Sequence, residues 1–219
     1  MKVSKIFTLT ASLFFALLSF GQTSSSNSKT LSFNGGIVGG ATLSQIHGDG
    51  IGGFNKLGYN LGVTVQVLNH TDRGLHLSII YNQKGSRKPP NPTQGDYVTW
   101  AYRFTYIDIP ILYAFSLKKF GLKDLHVEYG LQPSVLVAAE ENFYGVDFDP
   151  TNIPIKDYDL NVVLGVQVEM NNGSRFFTRL TQSIIPIAPK PNNPLTWWDN
   201  AMRNMTLEMG FIGLFSLRN

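Results

Sequence analysis

Four histidines are the residues of this sequence best suited to acid–base chemistry, namely His47, His70, His76 and His126. Two of them have a polar partner two positions away, since Ser78 follows His76 and Glu128 follows His126. A serine beside a histidine and a carboxylate can form a nucleophile–base pair. Residues at i and i+2 share a face of any strand, however, so this spacing alone indicates no contact. We therefore predict no catalytic residues, and no metal site from histidines so scattered.

A G-x-G-x-x-G pattern occurs at Gly48, Gly50 and Gly53. A dinucleotide site needs this pattern between a strand and a helix, so that the helix N-terminus meets the phosphate. No amphipathic helix follows here, and we expect the glycines to allow turns with positive φ. Asp49 could contact a cation, but the segment lacks the ordered oxygen ligands of a calcium site. We predict no cofactor.

The elements that must position these residues are strands, because hydrophobicity follows a period of two along most of the chain. The clearest case is YDLNVVLGVQVEM, residues 158–170, with an apolar face and a polar face. The same alternation predicts eight strands, near 33–43, 58–68, 75–84, 101–114, 124–137, 158–170, 174–184 and 203–217. Most exceed the roughly 5–6 residues typical of globular strands and match the ~9–11 of a tilted membrane-spanning strand.

The connections between these strands alternate in length. Three are short and turn-like: NHTDRG, SLKKFGLK and NNG. Four are long, at 44–57, 85–100, 138–157 and 185–202. Short periplasmic turns and long extracellular loops are the layout of an outer-membrane barrel. The prediction is an all-β protein: an eight-stranded antiparallel up-and-down transmembrane β-barrel.

The polar faces of the strands indicate which side of the barrel wall faces outward. A soluble lipocalin-like barrel has its apolar face inside, whereas a membrane barrel has it outside. The polar faces here carry small uncharged groups, and a water-facing exterior would carry many more Lys and Glu. Six aromatics also lie near predicted strand ends, as interfacial girdles do: Tyr59, Tyr81, Tyr102, Phe104, Tyr106 and Tyr158. This favours the membrane barrel, with a soluble ligand-binding barrel as an alternative.

Seven charged residues fall on the faces assigned to the lumen: Lys84, Arg103, Glu128, Asp159, Glu169, Arg179 and Glu208. A barrel of about eight strands has an interior just filled by side chains. An unpaired buried charge is costly, so these groups should pair across the lumen as a structural network. A constricted path for protons or small solutes is the alternative interpretation of the same residues.

The N-terminus has the features of a cleavable secretory signal peptide, residues 1–21. Lys2 and Lys5 precede an apolar run at 6–20, and small residues lead to a cut before Gln22. A run of 15 apolar residues is short for a spanning helix, which needs about 20. The chain has no cysteine, so neither a disulfide framework nor a thiolate metal site is available.

Cleavage would leave a polar segment at 22–32 and the barrel at 33–219. Loss of Lys2 and Lys5 lowers the formal net charge from +3 to +1, which gives no reason to expect a nucleic-acid partner. The predicted partners are outer-membrane lipid and an extracellular or envelope protein bound through the long loops. We expect a monomer.

Two of the long loops have distinctive compositions. Segment 138–157 carries five carboxylates and one lysine. Segment 185–202 is rich in proline and contains Trp197 and Trp198. Exposed tryptophans form binding hot spots in many interfaces, but they also anchor proteins in the membrane interface. Both interpretations of the pair stay open.

Several stretches resemble the Bacteroidetes outer-membrane β-barrel family, often labelled porin family proteins. The similar motifs are GGIVGGATLSQIHGDGIGGFNKLGYNLGV, IIYNQKGS and YIDIPILYAF, followed less distinctively by VEYGLQPSVLV and RLTQSI. The resemblance covers residues 33–217. It implies an eight-stranded barrel in the outer membrane and says little about chemistry. Some eight-stranded outer-membrane barrels modify lipids with His, Ser and an acid, so a lipid-modifying enzyme is a further alternative to a non-enzymatic barrel.

Overall fold

The structure is a computed structural model that describes residues 32–69, 73–118, 121, 124–144, 146–148, 154–170, 173–189 and 201–216. The predicted signal peptide, the polar segment up to residue 31, and Trp197 and Trp198 lie outside the described residues. Among the residues described, no helix is both long and apolar enough to cross a membrane. The short 3₁₀ helix Pro92–Gln94 lies between two of the strands.

The described residues form eleven strands. They are β1 (Ser32–His47), β2 (Lys56–Leu68), β3 (Arg73–Lys88), β4 (Trp100–Asp108), β5 (Ile111–Ser116), β6 (Leu125–Phe143), β7 (Val146–Phe148), β8 (Tyr158–Glu169), β9 (Arg175–Ser183), β10 (Ala188–Pro189) and β11 (Ala201–Ser216). Pro110 separates β4 from β5. Each of these two strands pairs with β3 on one side and β6 on the other, so together they form one strand position of the barrel wall. Proline donates no backbone hydrogen bond, which accounts for the break there.

The wall is a closed antiparallel ring of eight strand positions. The strands pair in the order β1, β2, β3, β4, β6, β8, β9 and β11, and β5 continues the position of β4 between β3 and β6. The ring closes between β1 and β11, from Asn34↔Ser216 to His47↔Arg203. Among the described strands, closure leaves no open edge of the wall, as a bilayer requires. The predicted eight-stranded antiparallel barrel is confirmed.

Alternating side chains separate an outer apolar face from an inner face. On β8 the outward residues include Val162, Leu164 and Val166, and Leu164 is 59% exposed. The inward residues of the same strand include Asn161 and Gln167, both buried. The apolar face of β8 therefore points outward, as a membrane barrel requires.

The strands at the loop end are longer than the sequence pattern predicted. Strand β6 continues to Phe143 and then pairs with β7, so the predicted loop 138–157 begins as sheet. Strand β3 stays paired with β4 up to Lys88↔Trp100. A bulge between Thr105 and Tyr106 shifts the register of β4 against β6. Bulges of this kind add twist and re-aim side chains.

Candidate functional site

The barrel lumen is filled with polar side chains contributed by every wall position. The buried polar residues that point inward include Thr42, Asn60, Thr64, Gln66, His76, Asn82, Lys84, Asp108, His126, Glu128, Gln132, Asp159, Asn161, Gln167, Arg175, Arg179, Thr181, Ser183, Asn204, Thr206 and Glu208. Long loops leave one end of this lumen and short turns the other, and we call these the loop end and the turn end. An eight-stranded barrel leaves room for little besides such side chains.

Glu128 of β6 is the most heavily bonded carboxylate of the lumen. Arg179 of β9 donates to it from Nε at 2.6 Å and from NH2 at 3.3 Å. Gln167 of β8 donates from Nε2 at 2.6 Å, and His76 Nδ1 of β3 lies 3.5 Å away. The Arg179 guanidinium also lies 4.5 Å from the centre of the Phe177 ring. Four wall positions thus converge on one buried ion pair.

A second group of charges lies at the turn end. Arg175 NH2 and His126 Nε2 each lie 3.4 Å from Glu169 Oε2. Arg175 also donates from NH1 to Gln66 Oε1 at 3.2 Å. Glu169 itself is 43% exposed, so this ion pair meets solvent at the mouth of the lumen.

Lys84, Asp108 and Glu208 form a third group higher in the lumen. Lys84 Nζ lies 2.8 Å from Asp108 Oδ2. Asn82 Nδ2 donates to Asp108 Oδ2 at 2.9 Å and to Glu208 Oε1 at 2.8 Å, which links the two carboxylates. The Lys84 ammonium also lies 5.1 Å from the centre of the Tyr106 ring.

Asp159 of β8 is held by neutral donors. Ser183 Oγ donates to Asp159 Oδ2 at 2.7 Å, and Asn204 Nδ2 donates to the same oxygen at 3.0 Å. Asn204 Nδ2 also donates to the Tyr106 hydroxyl at 3.4 Å. Charge-assisted hydrogen bonds of this kind are stronger than neutral ones.

An apolar plug closes the loop end of the lumen. It consists of the buried residues Ile46, Tyr102, Phe104, Tyr106, Ile187, Ala188 and Met202. The three rings follow one another along β4, with centroids 6.0 and 6.4 Å apart. Residues 187–188 come from the segment after β9, which folds back and pairs Ala188 with Met202 of β11. The Ile187 amide also donates to the Met202 carbonyl at 2.9 Å.

Two sequence predictions about β4 are wrong. Arg103 points outward and is 48% exposed, with NH1 3.9 Å from Glu140 Oε2, rather than lining the lumen. Tyr102, Phe104 and Tyr106 point inward and are buried, so they belong to no girdle. Strand β4 carries its apolar face on the opposite side from β8, because its aromatics form the plug.

The other predicted residues lie on the inner side of the wall. Lys84, Glu128, Asp159, Arg179 and Glu208 are all buried in the lumen. Glu169 shares the inner face of β8 but lies at the turn-end mouth instead of inside. Tyr59 and Tyr158 lie on the outer face, and Tyr59 stacks on Tyr81 with centroids 5.6 Å apart.

The serine and the two strand histidines weighed for catalysis have other partners. Ser78 donates to Thr64 at 2.9 Å. His76 contacts Glu128 and Gln167. Within the described part of the chain, no group of three or more His, Asp or Glu residues is placed to hold a metal ion.

The glycine motif lies in the loop between β1 and β2. Gly48, Gly50 and Gly53 all have positive φ, of 94°, 82° and 89°, which confirms their predicted role in turns. Asp49 accepts a hydrogen bond from the Ile51 amide at 2.7 Å, and burial raises the pKa of its carboxyl.

The loop between β3 and β4 is fixed by an ion pair. Lys88 Nζ lies 2.7 Å from Asp96 Oδ2, and the Val98 amide donates to Asp96 Oδ1 at 3.0 Å. The Lys88 hydrogen bond, helped by the Val98 amide, lowers the pKa of the Asp96 carboxyl.

Sequence reasoning missed two charged members of the lumen, namely Asp108 and Arg175. Arg175 stands at the end of the predicted strand 174–184, where the face of a residue is hardest to assign, whereas Asp108 lies in the middle of the predicted strand 101–114. The alternation of side chains could have identified Asp108 as a lumen residue. Asp108 has an even number, as do Tyr102, Phe104 and Tyr106, so all four lie on the same face of β4. Assigning those rings to a girdle placed the whole inner face of β4 on the wrong side.

A closed eight-position antiparallel ring, apolar outside and polar inside, defines a transmembrane β-barrel. The family of outer membrane protein beta-barrel domains matches residues 19–188, and the chain belongs to this family. The protein is therefore an outer-membrane barrel, as the sequence resemblance implied. A comparison with curated protein sequences finds no match.

Two solved structures are similar to this chain. Ail, the attachment invasion locus protein of Yersinia pestis, in complex with the heparin analogue sucrose octasulfate, is 12% identical with a TM-score of 0.50. The match covers 84% of this chain and 99% of that one. Neisserial surface protein A is 12% identical over 85% of this chain and 99% of that one, with a TM-score of 0.48.

Proposed function

We propose that this protein is a non-enzymatic, monomeric outer-membrane barrel whose lumen is a structural network and whose loop end binds a partner outside the cell. The observation that carries the proposal is the closed lumen. Its inward side chains are buried, and the segment after β9 folds over the loop end. A buried interior offers neither a solute path nor access to a substrate, which leaves the exterior as the working surface.

The loop end supports a protein partner. Strands β3, β4, β6 and β7 stay paired there as a projecting sheet that ends at Phe143↔Val146. Tyr97, Phe143, Tyr144 and Val146 are exposed on or beside it. Tyrosine-rich patches are typical of binding hot spots. The proposed function places this sheet in contact with a macromolecule of the cell exterior.

The charge of the loop end favours a cationic partner surface. Segment 138–157 has five carboxylates against one lysine. Charge complementarity sets partner choice and association rate, so basic side chains should face this segment. Ail was crystallised with the heparin analogue sucrose octasulfate. The negative charge of this ligand is opposite in sign to that of the cationic partner proposed for the present protein. This protein and Ail are similar in fold only. The acidic segment 138–157 therefore favours a ligand different from that of Ail.

Conductance in planar lipid bilayers tests the closed lumen. We expect the wild-type protein to insert without discrete conductance steps. A variant that combines Phe104→Gly, Glu128→Gly and Arg179→Gly removes side chains from the plug and from the buried ion pair and should show small steps. Reproducible steps from the wild-type protein would contradict the proposal.

The absence of native cysteine allows a clean test of orientation. Tyr97→Cys places a thiol on the projecting sheet, and Lys118→Cys places one at a short turn. On intact cells, a membrane-impermeant maleimide should label the first variant and spare the second. The reverse pattern would show that the loop end faces the periplasm, which would contradict the proposed extracellular partner site.

We infer that cleavage before Gln22 leaves a polar segment at 22–32 followed by the barrel. The intact mass of protein purified from outer membranes should correspond to a chain that begins at Gln22. A mass that includes residues 1–21 would contradict cleavage.

A further inference from the structure

The three lysines of strands β2 and β3 differ in their partners. Lys84 and Lys88 are each paired with a carboxylate, with the nitrogen 2.8 and 2.7 Å from the nearest oxygen. Lys56, the first residue of β2, instead donates from Nζ to the backbone carbonyl of Leu57 at 2.7 Å. Among the described residues, no carboxylate forms an ion pair with Lys56. Of these three amines, it is therefore the one whose charged form lacks an anionic partner in the described part of the chain.

Lys56 is also held away from water and near like charges. Only 9% of this residue is exposed. It stands on the loop side of the stacked rings of Tyr59 and Tyr81, and aromatic rings on the outer wall mark the membrane interface, so Lys56 lies outside the spanning part. Burial, and then the guanidinium groups of Arg103 and Arg87, lower the pKa of the Lys56 ammonium. At neutral pH, a larger fraction of Lys56 than of an ordinary lysine is therefore the free amine.

A cavity of about 460 Å³ lies against Lys56. Cavities of roughly 300–1,000 Å³ accommodate small organic molecules. Tyr81, Phe104 and Val137 contribute apolar groups to its lining, so a molecule with a hydrocarbon part suits it. The charged residues of the lining besides Lys56 are Lys84, Arg103 and Glu140.

We propose that Lys56 is a nucleophilic amine that forms a reversible imine with an aldehyde admitted to this cavity. A lysine that is buried and lies near other cations has the environment that activates its amine for imine formation. The cavity limits the aldehyde to a small molecule, and its apolar lining favours one with a hydrocarbon part. The proposal is separate from the loop-end partner and does not depend on it.

The covalent step needs only the amine and the aldehyde. The Lys56 ammonium first loses a proton to solvent, and the lone pair of the amine nitrogen then forms a bond to the carbonyl carbon. A proton moves from nitrogen to the former carbonyl oxygen, which gives a carbinolamine. Loss of one water molecule from the carbinolamine leaves the carbon–nitrogen double bond. No electrons are exchanged with another molecule, so the step requires neither an oxidant nor a reductant.

Trapping of the imine tests the reactivity of Lys56. The folded barrel in detergent is incubated at neutral pH with benzaldehyde, and cyanoborohydride converts any imine to a stable secondary amine. Peptide mass spectrometry then gives the modified fraction at each lysine over time. We expect Lys56 to be modified several times faster than Lys88, although the Lys88 side chain is 39% exposed and Lys56 is almost buried.

The pH dependence separates an activated amine from mere access. Ordinary lysines become free amines only near a pH of about 10.4. Because its pKa is lowered, Lys56 has an advantage only while the other lysines remain charged. The preference for Lys56 over Lys88 should therefore be greatest at neutral pH and shrink as the pH rises. A preference that stayed constant up to alkaline pH would contradict the activated amine.

Matched variants assign the reaction to the amine and to the cavity, after each has shown the gel mobility of the folded barrel. Lys56→Arg keeps the positive charge without a nucleophilic amine and should lose the fast reaction, whereas the control Lys88→Arg should keep it. Val137→Trp narrows the cavity and should slow the reaction with benzaldehyde more than the reaction with formaldehyde.

Three results would overturn the proposal. The first is modification that follows exposure, with Lys88 and Lys118 ahead of Lys56 at neutral pH. The second is a fast reaction that persists in Lys56→Arg. The third is a Val137→Trp variant that reacts with both aldehydes as the wild-type protein does, which would show that the aldehyde does not enter through the cavity.

Discussion

Strands β8 and β4 alternate equally clearly, yet they point their apolar sides in opposite directions. On β8, Leu164 faces outward and Gln167 inward. On β4, Arg103 faces outward and Phe104 inward. The difference divides the lumen into two parts, an ionic part around Glu128 and the aromatic plug. Alternation thus identifies two faces, while the surroundings decide which face is which.

The two parts of the lumen contribute differently to the fold. The ionic part joins β3, β6, β8 and β9, because each of the other three strands contributes a side chain that contacts Glu128 of β6. Buried ion pairs of this kind add little net stability compared with apolar packing. The plug excludes water and packs three rings against the segment after β9. We expect the ionic part to be intolerant of single changes and the plug to be tolerant of conservative ones.

The largest effect should follow Arg179→Met. The change leaves Glu128 buried without its cation, which costs about 3–5 kcal/mol. Urea unfolding in lipid vesicles, followed by the gel mobility of the folded barrel, measures the free energy of unfolding. The double variant Arg179→Met with Glu128→Gln removes both charges and should recover most of the loss. A double variant as unstable as the single one would contradict the ion-pair explanation.

The next effect concerns the outer face of β8. Leu164→Lys places a charge near the bilayer midplane on the lipid side, at a cost of about 2–4 kcal/mol. The control is Leu164→Val, which keeps the face apolar and should cost far less. The same urea titration in vesicles compares them. If the lysine variant matched the valine variant, Leu164 would not face lipid.

A smaller effect should follow a conservative change in the plug. Phe104→Leu keeps an apolar side chain but leaves part of the ring volume empty, so we expect a loss of about 1–2 kcal/mol. Phe104→Asn, of similar size to leucine but polar, should be markedly worse. Equal stability of the leucine and asparagine variants would show that position 104 does not lie in an apolar environment.

The smallest effect belongs to the outer face of β4. The Arg103–Glu140 pair is exposed and its closest atoms are 3.9 Å apart. Arg103→Ala should therefore change the free energy of unfolding by less than about 0.5 kcal/mol, as for most exposed pairs. A loss comparable to that of Arg179→Met would mean that Arg103 is buried, as the sequence pattern had suggested.

The sequence predicted the fold well because period-two alternation over long segments constrains the chain strongly. Strand number, ring topology and the lumen positions of Lys84, Glu128, Asp159, Arg179 and Glu208 all follow from parity once one face is assigned to lipid. Alternation does not show which face of an individual strand points toward lipid and which toward the lumen. Strand β4 is the example. Its tyrosines fit a girdle or a plug equally well, since a ring with a hydroxyl suits both environments.

The extent of the strands and the closing segment depended on long-range contacts that the sequence does not display. The carboxylates of segment 138–157 suggested a loop, but β6 runs on to Phe143 because β4 pairs with it. The prolines of segment 185–202 suggested an exposed loop, whereas Ile187 packs into the plug. Local composition was outweighed in both places by tertiary pairing.

One measurement tests the opposite orientation of β4 and β8 most directly. A spin label attached at Thr105→Cys on β4 or Leu164→Cys on β8 reports collisions with oxygen dissolved in the bilayer, and Thr64→Cys provides a lumen reference. We predict high oxygen accessibility at positions 105 and 164 and low accessibility at 64. Low accessibility at 105, matching position 64, would place the aromatic face of β4 toward lipid and contradict the plug.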